Sequence, residues 1–154
     1  MHLTRFTDYS LRVLIYLAAE PGRRATIAEI AAAFDVKENH LTKVVHFLGR
    51  QGWVATVRGK GGGLGLALAP QDVGVGAVVR AAEGVDLPAE CFDPEAKTCS
   101  IRRVCRLRRV LQEASHAFHA VLDRYTLADL VHNRHALVRV LFSERTETRR
   151  PAHA

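Results

Sequence analysis

The chain has 154 residues, 48% of them hydrophobic and 25% charged, with a formal net charge of +6. This composition excludes an intrinsically disordered chain, and the length suits one compact domain or a small domain with an oligomerisation element. No apolar run approaches the roughly 20 residues that cross a bilayer, and no secretory signal pattern is present, so we expect a cytoplasmic protein without membrane association. The excess of Lys and Arg favours a polyanionic partner such as nucleic acid, with simple solubility as the alternative.

Three short helices are predicted in the first third of the chain. The first covers about Thr4 to Ala19 and ends before Pro21-Gly22. Thr26 and Glu29 have the spacing of a capping box, which opens a second helix through Ala33. The third, about Glu38 to Gln51, has an apolar stripe and is followed by Gly52 in a left-handed conformation. Two helices joined by a tight turn are typical of a helix-turn-helix.

A glycine-rich hairpin is predicted next. Trp53–Val57 and Leu64–Leu68 are the expected strands, and Arg58-Gly59-Lys60-Gly61-Gly62-Gly63 forms the tip. Such a hairpin after a helix-turn-helix is a wing, in which Arg58 and Lys60 supply charge toward DNA. Nucleotide binding is the alternative, although the glycines match neither the P-loop nor the dinucleotide-binding spacing.

The remainder predicts a connector at Pro70–Asp72, a helix at Val75–Glu83 and an irregular stretch to Ile101. A long helix follows from about Val104 to Tyr125, with apolar residues at alternating spacings of three and four. This stripe predicts a homodimer seam, with packing inside the chain as the alternative. A final helix is predicted over Leu127–Phe142, before a disordered tail from Ser143.

Three cysteines lie within fifteen residues, in the pattern Cys91-x7-Cys99-x5-Cys105. An odd number argues against a disulfide framework, and the spacing lacks the close pairs of a structural zinc site. Widely spaced thiolates on a loop suit an iron–sulfur cluster, and nearby arginines would offset its negative charge. Zinc with a fourth ligand, three unrelated thiols and a catalytic cysteine remain as alternatives.

Four separated segments resemble the Rrf2 family of winged-helix transcription regulators. Leu3–Arg12 resembles the opening of that family, and Arg58–Gly63 resembles its wing. The loop that ends in Cys105–Leu107 is similar to the cluster motif, although its stretch between Cys91 and Cys99 is longer than usual. Tyr125–Val131 resembles the closing segment of the member that senses nitric oxide.

The resemblance implies a mainly α fold with a small β-wing. It assigns the winged helix-turn-helix to residues 1–83, the cluster-binding loop to 84–106, the dimerisation helices to 104–142 and the tail to 143–154. It also implies a cluster, [4Fe-4S] in preference to [2Fe-2S], held by Cys91, Cys99 and Cys105. The fourth ligand would be an N-terminal carboxylate that reaches over from the partner subunit, and Asp8 is the matching residue. Asp93, Glu95 and Glu90 are local alternatives, and a surface acid that favours the helix dipole is the simpler interpretation of Asp8.

The function implied is a homodimeric, nitric-oxide-sensing repressor of palindromic operator DNA, and no enzymatic activity. The third helix would enter the major groove with Glu38, Asn39, His40 and Lys43, where Asn can recognise adenine and Lys43 a phosphate. Arg5, Tyr9 and Arg12 are candidate backbone contacts. Displacement of Asp8 by nitric oxide would release the first helix and weaken DNA binding. A regulator of iron–sulfur cluster assembly, and a zinc-bound or metal-free DNA-binding protein, are the alternative functions.

Lys37 stands where related proteins often have a Ser N-cap for the third helix. We therefore expect that helix to lack about 1 kcal/mol of capping stabilisation.

Overall fold

A computed structural model describes residues 3–59, 61–84, 89–93, 99–101 and 103–142 of the chain. It contains seven α-helices and one two-stranded antiparallel sheet within those residues, and so the predicted fold class is confirmed. The predicted tail from Ser143 lies outside the described residues.

The first three helices are α1 (Arg5–Ala19), α2 (Ile27–Phe34) and α3 (Glu38–Arg50), as predicted within one or two residues. The capping box forms, since the Glu29 amide donates to the Thr26 hydroxyl and the Thr26 amide donates to the Glu29 carboxylate. Asp35 ends α2 with a left-handed φ of 54°, a conformation that Asp tolerates. Lys37 precedes α3 and makes no side-chain capping bond, as expected.

The core forms where the apolar faces of these helices meet. Val13, Leu14 and Leu17 on α1 are almost completely buried, as are Leu41 and Leu48 on α3. Two polar side chains of α1 are also buried, and the Ser10 hydroxyl donates to the Phe6 carbonyl at 2.8 Å. The helix-turn-helix is therefore held by α1, which packs against both α2 and α3.

The wing consists of β1 (Val54–Val57) and β2 (Gly63–Leu66), with Val54 paired to Leu66 and Val57 to Gly63. Ala25 adds a bridge to Leu64, with hydrogen bonds of 3.0 and 2.7 Å in the two directions. This bridge ties the wing to the turn before α2.

The tip of the wing depends on a close approach at Gly62. The Gly62 amide donates to the Gly59 carbonyl at 2.9 Å. A Cβ at Gly62 would overlap the Val57 carbonyl oxygen and lie 2.8 Å from that of Gly59. Only glycine fits at this position without moving the backbone.

The second half begins with a 3₁₀ turn at Pro70–Asp72 and α4 (Val75–Glu83), as predicted. The long helix is α5 (Arg106–Leu122), which is shorter at both ends than the predicted Val104–Tyr125. Gly74 forms a bridge with Thr126, and so the chain after α5 is joined to the start of α4.

The single final helix predicted over Leu127–Phe142 is wrong, because the structure contains α6 (Leu127–Leu130) and α7 (Arg134–Phe142). Val131, at φ −109° and ψ 18°, leaves the helical conformation between them. The break allows Arg134 Nε to donate to the Ala19 carbonyl at 2.7 Å, and Phe142 to contact Tyr16 at a ring separation of 4.8 Å. Tertiary contacts with α1 thus interrupt a segment whose local pattern is helical.

Within the described part of the chain, none of the helices has the length and apolar character needed to cross a membrane.

Candidate DNA-binding surface and cysteine loop

The N-terminal half of α3 presents the residues that were predicted from the sequence to enter the major groove. Glu38, Asn39, His40 and Lys43 are all exposed there. Leu41, Val44 and Leu48 lie on the opposite face, in the core, and hold the helix in place. The amphipathic pattern of α3 therefore fixes which of its side chains can reach a nucleic acid.

The start of α1 lies directly beside this turn. The rings of Phe6 and Phe47 are 5.1 Å apart in an edge-on contact, and Tyr9 stacks on His40 at 6.3 Å with an interplanar angle of 21°. Arg5 and Lys43 line the same shallow groove, of about 180 Å³. The structure thus brings Arg5, Tyr9, His40 and Lys43 together on one surface, and each was named from sequence as a candidate DNA contact.

Arg12 is held differently. Its Nε lies 3.0 Å from Asp8 Oδ1, and its Nη2 lies 2.8 Å from Asp8 Oδ2. Its guanidinium carbon is 5.9 Å from the centre of the Tyr9 ring and 5.8 Å from that of Phe34. The carboxylate orients Arg12 along α1, and a phosphate contact by this residue would compete with Asp8.

The wing carries Arg58 on its exposed edge at the end of β1. Lys60, the second cation predicted at the tip, lies outside the described residues. Within the described part of the tip, Arg58 supplies the positive charge, and the backbone at Gly59, Gly61 and Gly62 supplies the tight turn.

The three cysteines are free thiols and are partly exposed. Cys91 lies in a short 3₁₀ turn (Glu90–Phe92), Cys99 begins the described segment 99–101, and Cys105 is the residue that precedes α5. Within the described ranges, no three His, Cys, Asp or Glu side chains are arranged to hold a single metal ion. Of the alternative fourth ligands, Asp93 is partly buried, while Glu95 and the side chain of Glu90 lie outside the description.

The surroundings of these thiols fit a group that carries negative charge on sulfur. Cys105 is the N-cap of α5, and its side chain makes no capping hydrogen bond to that helix. A helix N-terminus favours anionic groups. The Nε of Arg108, in the first turn of α5, is buried and has no hydrogen-bond acceptor among the described residues.

Two contacts of these segments were not predicted from the sequence. The Arg108 guanidinium carbon lies 5.1 Å from the centre of the Phe92 ring, and Arg80 on α4 pairs with Asp123 at the end of α5. The only signal for the first was the position of Arg108 one helical turn after Cys105. No local pattern predicts the second, because 43 residues separate the partners.

The family model for Rrf2, described as an iron-dependent transcriptional regulator, matches residues 3–133. The HTH-type transcriptional regulator NsrR of Bacillus subtilis is 49% identical over 142 residues, which cover 92% of this chain and 97% of that protein. NsrR of Geobacillus kaustophilus is 47% identical over 146 residues, with 94% and 99% covered.

Solved structures show the same fold. A structure titled "T. potens IscR" aligns with a TM-score of 0.70 at 24% identity, covering 100% of this chain and 94% of that one. The oxidized form of Staphylococcus aureus CymR aligns with a TM-score of 0.66 at 24% identity, covering 84% and 95%.

Proposed function

Because the chain belongs to the Rrf2 family of transcriptional regulators, and is a regulator and not an enzyme, we propose that it is a nitric-oxide-responsive repressor. In this proposal it binds palindromic operator DNA as a homodimer, and a bound iron–sulfur cluster sets its affinity. The observation that carries the DNA-binding part is the groove in which Arg5, Tyr9, His40 and Lys43 converge.

The recognition surface divides into two kinds of contact. Asn39 at the exposed start of α3 can pair with both hydrogen-bonding groups of adenine in the major groove. Arg5, Lys43 and Arg58 are exposed cations that suit phosphates, and phosphate contacts set position without sequence information. Tyr9, stacked on His40, keeps that imidazole beside the groove.

A second copy of the chain is the proposed partner of α5. The structure describes every residue of α5, and none of them is buried as a whole residue in the single chain, although single atoms such as Arg108 Nε are. Leu107 is 61% exposed and Val110 is 58% exposed, and Val121 continues the same helix at 43%. An exposed apolar stripe on a 17-residue helix favours helix-to-helix association between two subunits. Two copies would also present two α3 helices to the half-sites of a palindrome.

The sensing part is proposed from Cys91, Cys99, Cys105 and Asp8. Thiolates are the preferred ligands of iron–sulfur clusters, and a carboxylate is the more replaceable ligand. A cluster bound there supplies iron that nitric oxide can attack. The relatives named NsrR support this assignment through identities of 49% and 47% over 92% and 94% of this chain.

Asp8 is the residue through which the proposal connects this chemistry to DNA. It lies on α1 between Phe6 and Tyr9, the two residues that contact α3 through Phe47 and His40. In this proposal, displacement of Asp8 from a cluster would let α1 shift, and with it the packing of α1 on α3 and the placement of the recognition helix. An effector shifts this equilibrium only through different affinities for the two states.

The test uses anaerobically purified protein, with an absorption spectrum and counts of iron and sulfide before and after addition of nitric oxide. DNA binding is measured on the same samples with a duplex selected by the protein from a random pool. We expect a chromophore of about one cluster per chain, altered by nitric oxide together with a loss of DNA binding. A colourless protein after anaerobic reconstitution, or DNA binding that ignores nitric oxide, would reject the sensing function.

Asp8→Ala tests the fourth ligand, and Asp93→Ala is the matched control because Asp93 is the local alternative. We expect Asp8→Ala alone to change the spectrum and weaken the nitric oxide response. If Asp93→Ala changed the spectrum and the nitric oxide response while Asp8→Ala did not, the fourth ligand would be Asp93 in the cysteine loop.

A further inference from the structure

Two of the three cysteine segments are joined by the side chain of Arg108. Arg108 is the third residue of α5, and Cys105 is the N-cap of the same helix. Its guanidinium carbon lies 5.1 Å from the centre of the Phe92 ring, and Phe92 directly follows Cys91. This cation–π contact therefore holds the Cys91 turn close to the helix that begins after Cys105.

The same side chain carries an unused donor. Arg108 Nε is buried and finds no hydrogen-bond acceptor among the residues that the structure describes. A buried charged donor is unfavourable unless an acceptor reaches it. The chemistry that would satisfy it is an anionic acceptor between the two cysteine segments, such as a thiolate or a cluster sulfide.

We propose that Arg108 is a positioning residue of the cysteine loop, which holds the Cys91 turn through Phe92 and donates its Nε–H to a sulfur of the bound cluster. The proposal rests on the proposed iron–sulfur function and singles out one arginine from the cations around Cys105. Hydrogen bonds to the sulfurs raise the reduction potential of a cluster, because they stabilise its more negative, reduced state.

Arg109 provides a matched control. It is the next residue of α5, it is exposed, and it carries the same charge. Arg109→Gln therefore removes one positive charge at nearly the same sequence separation from Cys105. It leaves the contact between Arg108 and Phe92 unchanged. Arg108→Lys keeps the charge and loses the planar guanidinium with its Nε–H.

The experiment compares Arg108→Gln, Arg108→Lys and Arg109→Gln with the unaltered full-length protein. Iron and sulfide are counted after anaerobic reconstitution, and the midpoint potential of each loaded protein is determined by redox titration. Hydrogen–deuterium exchange of the peptide that contains residues 89–93 is followed in the metal-free proteins.

We expect Arg108→Gln to lower the equilibrium constant for one-electron reduction by about tenfold, which is a shift of about 59 mV to a more negative potential. Arg108→Lys should show most of this shift, and Arg109→Gln should shift much less. In the metal-free state, residues 89–93 should exchange faster in both Arg108 variants than in Arg109→Gln.

Equal potentials for Arg108→Gln and Arg109→Gln, in proteins that hold the cluster, would overturn the role of Arg108 and leave the proposed function intact. An unaltered protein that takes up no iron or sulfide would overturn the proposed function, and the donation to sulfur with it. Unchanged exchange of residues 89–93 in the Arg108 variants would overturn the positioning of the Cys91 turn.

Discussion

Arg80 on α4 and Asp123 at the end of α5 form a two-point ion pair. Arg80 Nη2 lies 2.7 Å from Asp123 Oδ1, and Arg80 Nη1 donates to Asp123 Oδ2 at 3.0 Å. The hydrogen bond from Arg80 lowers the pKa of Asp123. Both side chains are about half exposed, so the pair contributes little to stability. The Val75 N–H also donates to the Tyr125 carbonyl near this ion pair. The ion pair and this hydrogen bond together align α4 with the end of α5.

Gly76→Ala should disturb this alignment. A Cβ at Gly76 would overlap the Asp123 carboxylate and lie 3.1 Å from the Asp123 amide nitrogen. We expect the free energy of unfolding to fall by about 1–3 kcal/mol, the usual cost of overpacking. Urea denaturation measures it, and Gly74→Ala is the control because its Cβ would meet only the Ala77 side chain, at 3.9 Å.

In an Asp123→Ala background, Gly76→Ala should lower the free energy of unfolding by less, because the overlapping carboxylate has been removed. An equal loss of unfolding free energy in both backgrounds would show that the Asp123 carboxylate is not the obstacle.

The capping box of α2 should make stability depend on pH. Hydrogen bonding to Thr26, and the nearby Arg23, lower the pKa of Glu29 from its ordinary value of 4.5. A carboxyl group with a lowered folded-state pKa stabilises the fold above 4.5, and this contribution is lost as the pH falls through the lowered pKa. Glu29→Gln should flatten this part of a stability-versus-pH curve measured by chemical denaturation.

Thr26→Ala should lower the free energy of unfolding at neutral pH by about 1 kcal/mol, because the Glu29 amide loses its side-chain acceptor. Thr26→Ser keeps the hydroxyl and should retain most of the stability. Equal losses for Ala and Ser, measured by chemical denaturation, would count against the capping role.

Val110→Glu should dissociate the proposed dimer. Val110 is 58% exposed on α5, and an unpaired carboxylate in the apolar seam would have to be desolvated on association. Sedimentation velocity should show a shift from dimer to monomer. Gln112→Glu adds the same charge at another exposed position of α5 and should leave the dimer intact.

Arg58→Gln should make DNA binding less sensitive to salt. If Arg58 neutralises one phosphate, the slope of log affinity against log salt becomes less negative by about 0.9 per subunit. Arg124→Gln, which removes an exposed cation beyond α5, is the control and should leave the slope unchanged. An unchanged slope for Arg58→Gln would remove this residue from the interface.

Lys37→Ser should stabilise the protein. Lys37 occupies the N-cap of α3 with φ −66° and ψ 133°, a conformation suited to a capping Ser, and its own side chain makes no capping bond. We expect about 1 kcal/mol of added stability from the new acceptor. Lys37→Ala removes the same charge without adding the acceptor. If Lys37→Ala raised the free energy of unfolding by the same amount, the stabilisation would come from removal of the charge.

The elements predicted most accurately are those whose signals are local. The spacing of Thr26 and Glu29 predicted the start of α2, and the helix Val75–Glu83 has the predicted bounds. Gly52 adopts the expected positive φ, 78°, after α3. In each case the start or end of the helix is specified by residues within one or two turns of it, because capping and helix termination are short-range interactions.

The interruption between α6 and α7 shows where local reasoning fails. The apolar pattern from Leu127 to Phe142 predicts one helix, yet Arg134 and Phe142 contact Ala19 and Tyr16 on α1. More than a hundred residues separate these partners in the chain. Contacts over such a separation cannot be recognised from the local pattern.

By itself, the sequence determined the winged helix-turn-helix, the exposed face of α3, the apolar stripe of α5 and the three-cysteine pattern, since each follows from periodicity or spacing. Only the tertiary structure decided that α1 places Arg5 and Tyr9 beside His40 and Lys43, and that Asp8 is engaged by Arg12. It also decided that Arg108 packs on Phe92. The physical reason is that periodicity specifies which face of an element is buried, whereas its partner is selected by packing between elements far apart in the chain.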